Sequence, residues 1–446
     1  MHGNDSLLDH VTPYDRFSWG DAQIEEWLAS GARRRELSDY FGPTEYRALA
    51  ALARRALKAR HGDSALRVLI VPGIMGSQLG LTRAAPLPHD IVWLDPLDIQ
   101  RGRLAALRVP GAAPIVPLGV VLFSYLRLKL HLRAAGIPAE FHDYDWRLSI
   151  MDSGRALAER LRTLRPARVA IVAHSMGGLV SRAALALEGT RHIERLVLLG
   201  TPNCGSFAAV QALRGTYAVV RKVARLAQQA SAESLAAEVF STFPSLYELL
   251  PWGSCSVGGS DLFEARDWPA AGPGPDANLL AAARAVQRQL APPDERFAVI
   301  AGVGAATVTA ARRRGEEFLY TFTRGGDGTV PLRSALLPGV RCRYARAAHS
   351  DLTRNPVVAA AVVDLLRSGT TSRLPSSWRS SARAAAEVSD AELRSTHAEK
   401  VDWAALSSKA RRLFLENLNE PPHLRLRVQG RRVSHQRPAG RRGKRG

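Results

Sequence analysis

Residues 168–178 read RVAIVAHSMGG, and they carry most of the information about the architecture of the chain. An apolar run reaches Ser175 and a helical pattern follows over residues 179–187, which predicts a buried strand, a sharp turn and a helix. A serine hydroxyl is a weak nucleophile, so it must stand clear of the sheet within reach of a base. Such a turn requires small residues two positions before and after the serine, here Ala173 and Gly177. The stretch therefore predicts a nucleophile elbow that carries Ser175, although packing alone can also produce such a turn.

Further apolar runs lie on both sides of this stretch and alternate with helical patterns. Parallel strands that are buried on both faces have continuous apolar sequences, so this alternation predicts an α/β fold with an open, doubly wound, mostly parallel sheet. The predicted strands of this sheet are residues 66–71, 139–144, 168–173, 195–200, 297–302 and 340–345.

The segments outside this alternation are predicted to be additions to the sheet. Residues 20–60 predict two helices that are separated by Gly42-Pro43. Helical stretches at 208–227, 231–240 and 277–290 are separated by loops rich in proline and glycine, which predicts an inserted helical cap. The resulting division is an amino-terminal helical appendage (1–64), a first core segment (65–200), the cap (201–296), a second core segment (297–370) and a basic, partly disordered tail (371–446) with a helical pattern at 390–418.

The candidate partners of Ser175 follow it in the sequence. Asp327 lies in the turn GGDGTVP (325–331), which can present a carboxylate. The alternative is that this aspartate only caps the turn through its side chain. The histidines after Asp327 lie in the polar tail with the exception of His349, which makes His349 the candidate base; Asp351 is an alternative acid. The order Ser, Asp, His is that of α/β-hydrolases. In this arrangement His349 takes the serine proton and returns it to the leaving alcohol, and Asp327 orients the imidazole.

Two backbone N–H groups are candidates for an oxyanion hole. Met176 follows the nucleophile at a helix amino terminus, and Ile74 lies in the loop VPGIMG (71–76), where this fold supplies the second donor. No catalytic role is assigned to His142, His174 or Cys204, because a lone histidine is more often structural and because no histidine lies at a position that matches the cysteine.

Several stretches, in their order along the chain, resemble the lecithin:cholesterol acyltransferase-like family of α/β-hydrolases, which includes lysosomal phospholipases A. They are VLIVPGIMGSQL (68–79), VWLDPLDIQRGRLAAL (92–107), YDWR (144–147), VAHSMGGLVSRAAL (172–185), FPSLYELLP (243–251), GDGTVPLRS (326–334) and HSDLTRNP (349–356). The resemblance implies the same nucleophile, acid, base and oxyanion donors, and a cap that shapes an acyl-chain pocket.

The expected function is therefore that of a serine-dependent lipid acyl-ester hydrolase or O-acyltransferase. The alternatives are a general carboxylesterase or thioesterase, a deacylase of a lipid-linked molecule, and a protein of this fold that binds a lipid or protein without catalysis. Cys204, Cys255 and Cys342 are too few and too scattered for a disulfide framework, and no zinc-binding spacing is present, so neither a metal nor a cofactor is expected.

Composition and charge narrow the class of protein and of partner. With 46% hydrophobic and 23% charged residues, the 446-residue chain is of the soluble globular class, which excludes a fibrous or wholly disordered protein. The net charge is +20, and residues 421–446 hold nine Lys or Arg and no acid. Basic and aromatic residues do not cluster as they do in nucleic-acid sites, so nucleic acid is not expected as a partner. An anionic membrane surface is a candidate partner of the tail, with a solvated or nucleic-acid-contacting tail as an equal alternative.

The amino-terminal sequence has neither a basic leader nor an apolar stretch of the length found in secretory signals. The longest apolar run, residues 113–126, is too short to span a bilayer. A cytoplasmic protein is expected, with docking to a membrane surface as a hypothesis.

Overall fold

The computed structural model describes residues 11–59, 66–165, 167–187, 190, 192–379, 384–396, 399–419 and 427–428. Its strands are β1 (Arg67–Val71), β2 (Ser77–Leu81), β3 (Asp90–Trp93), β4 (Val116–Val120), β5 (Ala139–Phe141), β6 (Val169–His174), β7 (Ile193–Leu199), β8 (Phe297–Gly302), β9 (Thr307–Arg314), β10 (Glu317–Thr323), β11 (Cys342–Ala345), β12 (Ala384–Ser389) and β13 (Arg427–Val428).

Six of these strands form one parallel sheet in the order β11-β8-β7-β6-β1-β5. They correspond to the six predicted strands, and the predicted α/β-hydrolase class with a mostly parallel sheet is confirmed. The chain passes from β1 to β5 on one side and then crosses to β6 on the other side of β1. Ligands of open α/β sheets bind where the strand order reverses in this way, beyond the carboxyl ends of the strands. Here those ends belong to β1 and β6.

Helices cover both faces of the sheet. They are α1 (Asp21–Ser30), α2 (Arg34–Phe41), α3 (Pro43–Lys58), α4 (Pro96–Gln100), α5 (Leu122–Ala134), α6 (Ile150–Thr163), α7 (Met176–Leu185), α8 (Phe207–Leu213), α9 (Ala218–Leu226), α10 (Ala232–Glu238), α11 (Pro244–Glu248), α12 (Ala277–Ala283), α13 (Val286–Gln289), α14 (Leu332–Ala335), α15 (Pro356–Ser368), α16 (Asp390–Ser395) and α17 (Ser408–Glu416). Within the described ranges, none of the helices has the length and apolarity needed to cross a bilayer.

Alternate residues of the central strands enter two separate cores. Val68 and Val172 pack in the core that also contains apolar residues of α3, α5 and α15. Leu69 and Ile171 pack in the core that contains α6, α7 and the helices after β7. Because both faces of each strand are buried, the strand sequences are continuously apolar, and this made them recognisable.

Glycines in the left-handed region end two helices earlier than predicted. Gly31 has a φ of 83° and its N–H donates to the carbonyl of Trp27, so residues 20–60 form three helices and not two. Gly215, with a φ of 68°, follows α8, so the predicted helix 208–227 is two helices, α8 and α9. A side chain at either position would strain the backbone, which is why the helices end there.

Two smaller antiparallel sheets were not predicted. Their strand orders are β3-β2-β4 and β13-β12-β10-β9. In the second sheet β9 and β10 form an antiparallel pair, and Gly315 lies between them in the chain. The strand β12 lies about sixty residues further along the chain and pairs with the other side of β10. The exposed arginines Arg312, Arg313 and Arg314 interrupt the apolar pattern of β9, so the sequence gives no strand signal there.

The predicted tail begins too early in the sequence. Residues 371–379, 384–396 and 399–419 are described, and Leu393, Trp403 and Leu415 are buried in the same core as α6 and α7. The helical pattern at 390–418 corresponds to two short helices, α16 and α17. The basic residues from position 429 onward lie outside the described residues.

A buried carboxyl joins the amino-terminal segment to the rest of the protein. The Thr12 hydroxyl donates to Asp95 Oδ2, and the Leu97 N–H donates to Asp95 Oδ1 over 2.8 Å. Asp95 is fully buried. Burial raises the pKa of Asp95 from 3.8 to about 7, and the nearby charge of Asp98 acts in the same direction. The carboxyl is therefore protonated in the folded protein at a pH where it is ionised in the unfolded chain.

We expect Asp95→Asn to remove a pH dependence of stability. Because the pKa of Asp95 is higher in the folded than in the unfolded state, its carboxyl contributes to the free energy of unfolding. This contribution is complete below pH 4 and is lost as the pH rises through 7. The shift corresponds to about 4 kcal/mol, so denaturant unfolding from pH 4 to 8 should show the variant gaining stability over the wild type by up to this amount. Asp152→Asn, at an exposed ion pair with Arg155, is the control. A difference that is constant with pH would contradict the assignment.

Candidate active site

Ser175 occupies a strained turn between β6 and α7. Its φ is 54° and its ψ is −129°, a conformation that side chains rarely adopt. The turn brings α7 so close to the loop after β1 that a Cβ on Gly177 would lie 2.4 Å from the carbonyl oxygen of Pro72. Glycine is therefore required at 177, whereas Ala173, two residues before the serine, fits within β6 and is fully buried.

Three predicted residues lie within hydrogen-bond distance of one another. His349 Nε2 lies 2.9 Å from Ser175 Oγ, and His349 Nδ1 lies 2.7 Å from Asp327 Oδ2. The backbone N–H of His349 also donates to the carbonyl of Asp327 over 2.8 Å. All three side chains are buried. This geometry permits His349 Nε2 to accept the serine proton while the Asp327 carboxylate accepts a hydrogen bond from the Nδ1–H group of the same imidazole.

The Asp327 carboxylate is fixed from behind by its own turn. Its Oδ1 atom accepts the N–H groups of Thr329 (3.0 Å) and Val330 (2.7 Å), which leaves Oδ2 for the imidazole. The alternative acid, Asp351, pairs instead with Arg354 and is about half exposed. Of the two candidate acids, the structure places Asp327 against His349.

The two predicted oxyanion donors flank the serine. Met176 is the first residue of α7, and Ile74 lies in the loop after β1. Within the described part of the chain, neither N–H donates to another group. A Cβ on Gly73 would lie 2.7 Å from Ser175 Cβ, so this loop passes directly over the nucleophile. Both N–H groups therefore have no acceptor among the described residues, as an oxyanion hole requires, and they stay the predicted donors.

We expect Gly73→Ala to lower kcat for ester hydrolysis by about 100- to 1000-fold. The added methyl would meet Ser175 Cβ and lie 3.3 Å from Ser175 Oγ, so the loop that carries Ile74 must move. Loss of one oxyanion donor has an effect of this order. The check is steady-state kinetics, with Gly274→Ala as the control, because no atom lies within 4 Å of a Cβ at that position and Gly274 is not among the glycines with a positive φ. Equal losses in both variants would contradict the prediction.

Sequence reasoning missed a buried network beside the serine. The Gly73 N–H donates to the Tyr125 hydroxyl over 2.9 Å, and this hydroxyl lies 3.0 Å from His174 Nδ1. His174 Nε2 lies 3.0 Å from the carbonyl oxygen of His349. Since a carbonyl can only accept, Nε2 carries the proton and Nδ1 accepts from Tyr125. Burial, with the neighbouring charge of His349, holds the pKa of His174 well below its ordinary value.

This network connects the oxyanion loop to the candidate base. His174 was assigned no role, and the structure gives it contacts that hold the backbone of His349 in place. The sequence signal that could have indicated a role for His174 was its position directly before Ser175. His142 stacks on Tyr144, and the thiol of Cys204 donates to the carbonyl of Trp252. Neither of these two residues lines the cavity at the serine.

A largely apolar cavity opens at Ser175. It contains about 1130 Å³ of empty space, part of which is open to solvent. The helices between residues 201 and 296 contribute much of its lining, and residues near position 415 close another side; among the apolar lining residues are Ala209, Ala212, Val219, Leu246, Leu415 and Leu418. The space beside the nucleophile therefore suits a hydrocarbon chain better than a polar group.

Comparisons with known proteins agree with the fold. Residues 148–243, which include the elbow, match the family model described as a PGAP1-like alpha/beta domain. No curated protein matches the chain. The lecithin:cholesterol acyltransferase-like assignment therefore stays a prediction from the sequence.

Three solved structures are similar to the chain at low identity. The Tle4-Tli4 complex gives 13% identity over 71% of this chain and 100% of that chain, with a TM-score of 0.47. The mature form of the Bacillus licheniformis lipase BlEst2 gives 16% identity over 70% of this chain and 95% of that chain, with a TM-score of 0.36. A hydrolase from Pseudomonas aeruginosa PA01 gives 18% identity over 69% of this chain and 91% of that chain, with a TM-score of 0.29.

Proposed function

We propose that this protein is a serine-dependent acyl-ester hydrolase or O-acyltransferase that takes its acyl group from a lipid. The observation that carries the proposal is the contact of His349 with Ser175 Oγ, at 2.9 Å, on the wall of an apolar cavity. A base on the hydroxyl activates the nucleophile, and the apolar space beside it accepts the acyl chain.

The first half-reaction forms an acyl-enzyme. Ser175 Oγ attacks the ester carbonyl while its proton passes to His349 Nε2. The N–H groups of Ile74 and Met176 stabilise the resulting oxyanion. When the intermediate collapses, the bond to the alkoxy group breaks and His349 returns the proton to the departing alcohol. Asp327 orients the imidazole and stabilises its protonated form.

The second half-reaction determines the class of enzyme. Water or an acceptor alcohol loses a proton to His349 and attacks the acyl carbon, and the proton then returns to Ser175 Oγ. Water gives a free fatty acid, and an alcohol gives a new ester. Both outcomes use the same residues, so the access of water to the acyl-enzyme decides between them.

The lining of the cavity supports a lipid acyl group as the substrate. We assign the acyl chain to the apolar surface that α8, α9 and Leu246 provide, which gives the predicted cap its role. The sequence stretches shared with the lecithin:cholesterol acyltransferase-like family support a lipid as the acyl donor. The match of residues 148–243 to a PGAP1-like alpha/beta domain is compatible with an α/β-hydrolase fold.

The test is acyl release by wild-type protein and by Ser175→Ala. The substrates are p-nitrophenyl acetate, butyrate, laurate and palmitate, and phospholipid vesicles, each with and without an added long-chain alcohol. Turnover that depends on Ser175 and increases with chain length supports the proposal, and an ester product with alcohol makes the protein an acyltransferase. Preference for acetate indicates a general carboxylesterase. Ligand binding without turnover in either protein indicates a non-catalytic lipid-binding protein.

A further inference from the structure

The last long described segment, residues 399–419, crosses the protein and is here called the C-terminal strap. Its first part fastens to the end of α9. Lys400 Nζ donates to the carbonyls of Ala224, Ala227 and Ala230 over 2.6–2.8 Å, and the Val401 N–H donates to the carbonyl of Arg225 over 2.8 Å. Cationic donors suit the free carbonyls at a helix carboxyl end. The strap is thereby attached to a helix that lines the catalytic cavity.

Trp403 anchors the middle of the strap. Its side chain is 1% exposed and packs against Tyr14 and Phe414, with ring centroids 6.2 and 5.8 Å away. The backbone N–H of Trp403 donates to Gln100 Oε1 over 3.0 Å, and Arg411 Nε donates to the backbone carbonyl of Trp403 over 2.9 Å. These contacts fix the position and rotation of α17 on the protein surface.

The final part of the strap reaches the catalytic cavity. Leu415 and Leu418 are 7% and 8% exposed and border the empty space that opens at Ser175. Asn419 Oδ1 accepts a hydrogen bond from the Tyr217 hydroxyl, and Asn419 Nδ2 donates to Thr329 Oγ1 over 3.4 Å. Thr329 belongs to the same turn as Asp327. The strap therefore ends against the candidate acid's own loop.

We propose that the C-terminal strap is the wall of the acyl-chain subsite and that Leu415 and Leu418 set the chain length it accepts. This inference rests on the proposed function. Both leucines belong to the core that contains α6 and α7, and they also border the cavity that opens at Ser175, so an acyl chain in that cavity would contact them. Each methylene that such a wall removes from water strengthens binding by about a factor of four. A bulkier wall residue should therefore exclude the end of a long chain without affecting a short one.

The test compares Leu415→Trp and Leu418→Trp with Leu413→Trp. Leu413 lies on α17 with Leu415 and five residues before Leu418, but it is 41% exposed and outside the cavity lining, which makes it a matched control. For p-nitrophenyl palmitate we expect kcat/KM to fall by about tenfold or more in the first two variants, with p-nitrophenyl acetate turnover close to the wild-type value. Leu418→Ala should shift the preference toward longer chains. An unchanged palmitate-to-acetate ratio, or an equal fall in Leu413→Trp, would overturn the inference.

A second measurement separates this inference from the proposed function. The same substitutions are placed in the Ser175→Ala background, and binding of a fluorescent palmitate analogue is titrated. Weaker binding in the Leu415→Trp and Leu418→Trp forms, but not in the Leu413→Trp form, supports the wall even if the wild type shows no turnover. Equal binding in all forms rejects the wall even if esterase activity is present. Retained short-ester turnover or an unchanged melting temperature excludes misfolding as the cause.

Discussion

Ser175→Ala and His349→Ala should each lower kcat for the preferred ester by on the order of a millionfold, and the double variant should be no slower than either. In the proposed mechanism the hydroxyl and the imidazole act as one unit, since Ser175 Oγ lies 2.9 Å from His349 Nε2 and the acyl-enzyme would need both groups. The residual rate, about 1000-fold or more above that of water, should come from binding and from the N–H groups of Ile74 and Met176.

Ser181→Ala is the matched control for this experiment. Ser181 is buried in the same helix as the elbow and donates to the carbonyl of Gly177 over 2.7 Å, but it does not line the cavity. It should retain most of the activity. Single-turnover assays compare the rates of the variants, and circular dichroism checks that each variant is folded. If the losses of the two single variants multiply in the double variant, Ser175 and His349 do not act in one step.

Asp327→Asn should lower kcat by about 10,000-fold, the second largest effect that we expect. The Thr329 and Val330 N–H groups would keep an oxygen at the Oδ1 position, which places the amide nitrogen against His349 Nδ1. That nitrogen would donate to Nδ1 and leave the proton on Nε2, where it faces the serine. The imidazole would then be unable to accept the hydroxyl proton.

Asp351→Asn tests the alternative acid in the same assay. Asp351 lies two residues from His349 but pairs with Arg354 at the surface, so its variant should keep activity within a few fold of the wild type. A larger loss in Asp351→Asn than in Asp327→Asn would reverse the assignment of the acid.

The central sheet could be predicted because its strands are buried on both faces. Val68, Leu69 and Ile70 alternate between two cores, and each position selects for an apolar residue. The β9–β10 hairpin could not be predicted in this way, since one of its strands ends in exposed arginines. The partner of β10 on its other side, β12, lies far away in sequence, and local patterns carry no information about such pairing.

The candidate nucleophile and base could be predicted because each lies where the pattern changes from strand to loop, and Asp327 because it lies in the turn GGDGTVP (325–331). Ser175 follows β6, and His349 follows β11 by a few residues. The contacts of Tyr125 with Gly73 and His174 could not be predicted, because they depend on how α5 packs beneath the sheet edge. The contact of Tyr217 with Asn419 joins residues 202 positions apart, and local patterns carry no information about such a contact, so residues 371–446 were predicted only as a basic, partly disordered tail.

The position of the strap in the sequence also sets an order of assembly during synthesis. Chains emerge and fold from the amino terminus, so β1, the elbow and His349 are available before residues 399–419 are made. A nascent chain can thus bring its three candidate catalytic residues together while one side of the cavity is still open. The last described helix, Ser408–Glu416, can close that side only after it has been made, so the residues around Ser175 precede this wall of the cavity in the order of synthesis.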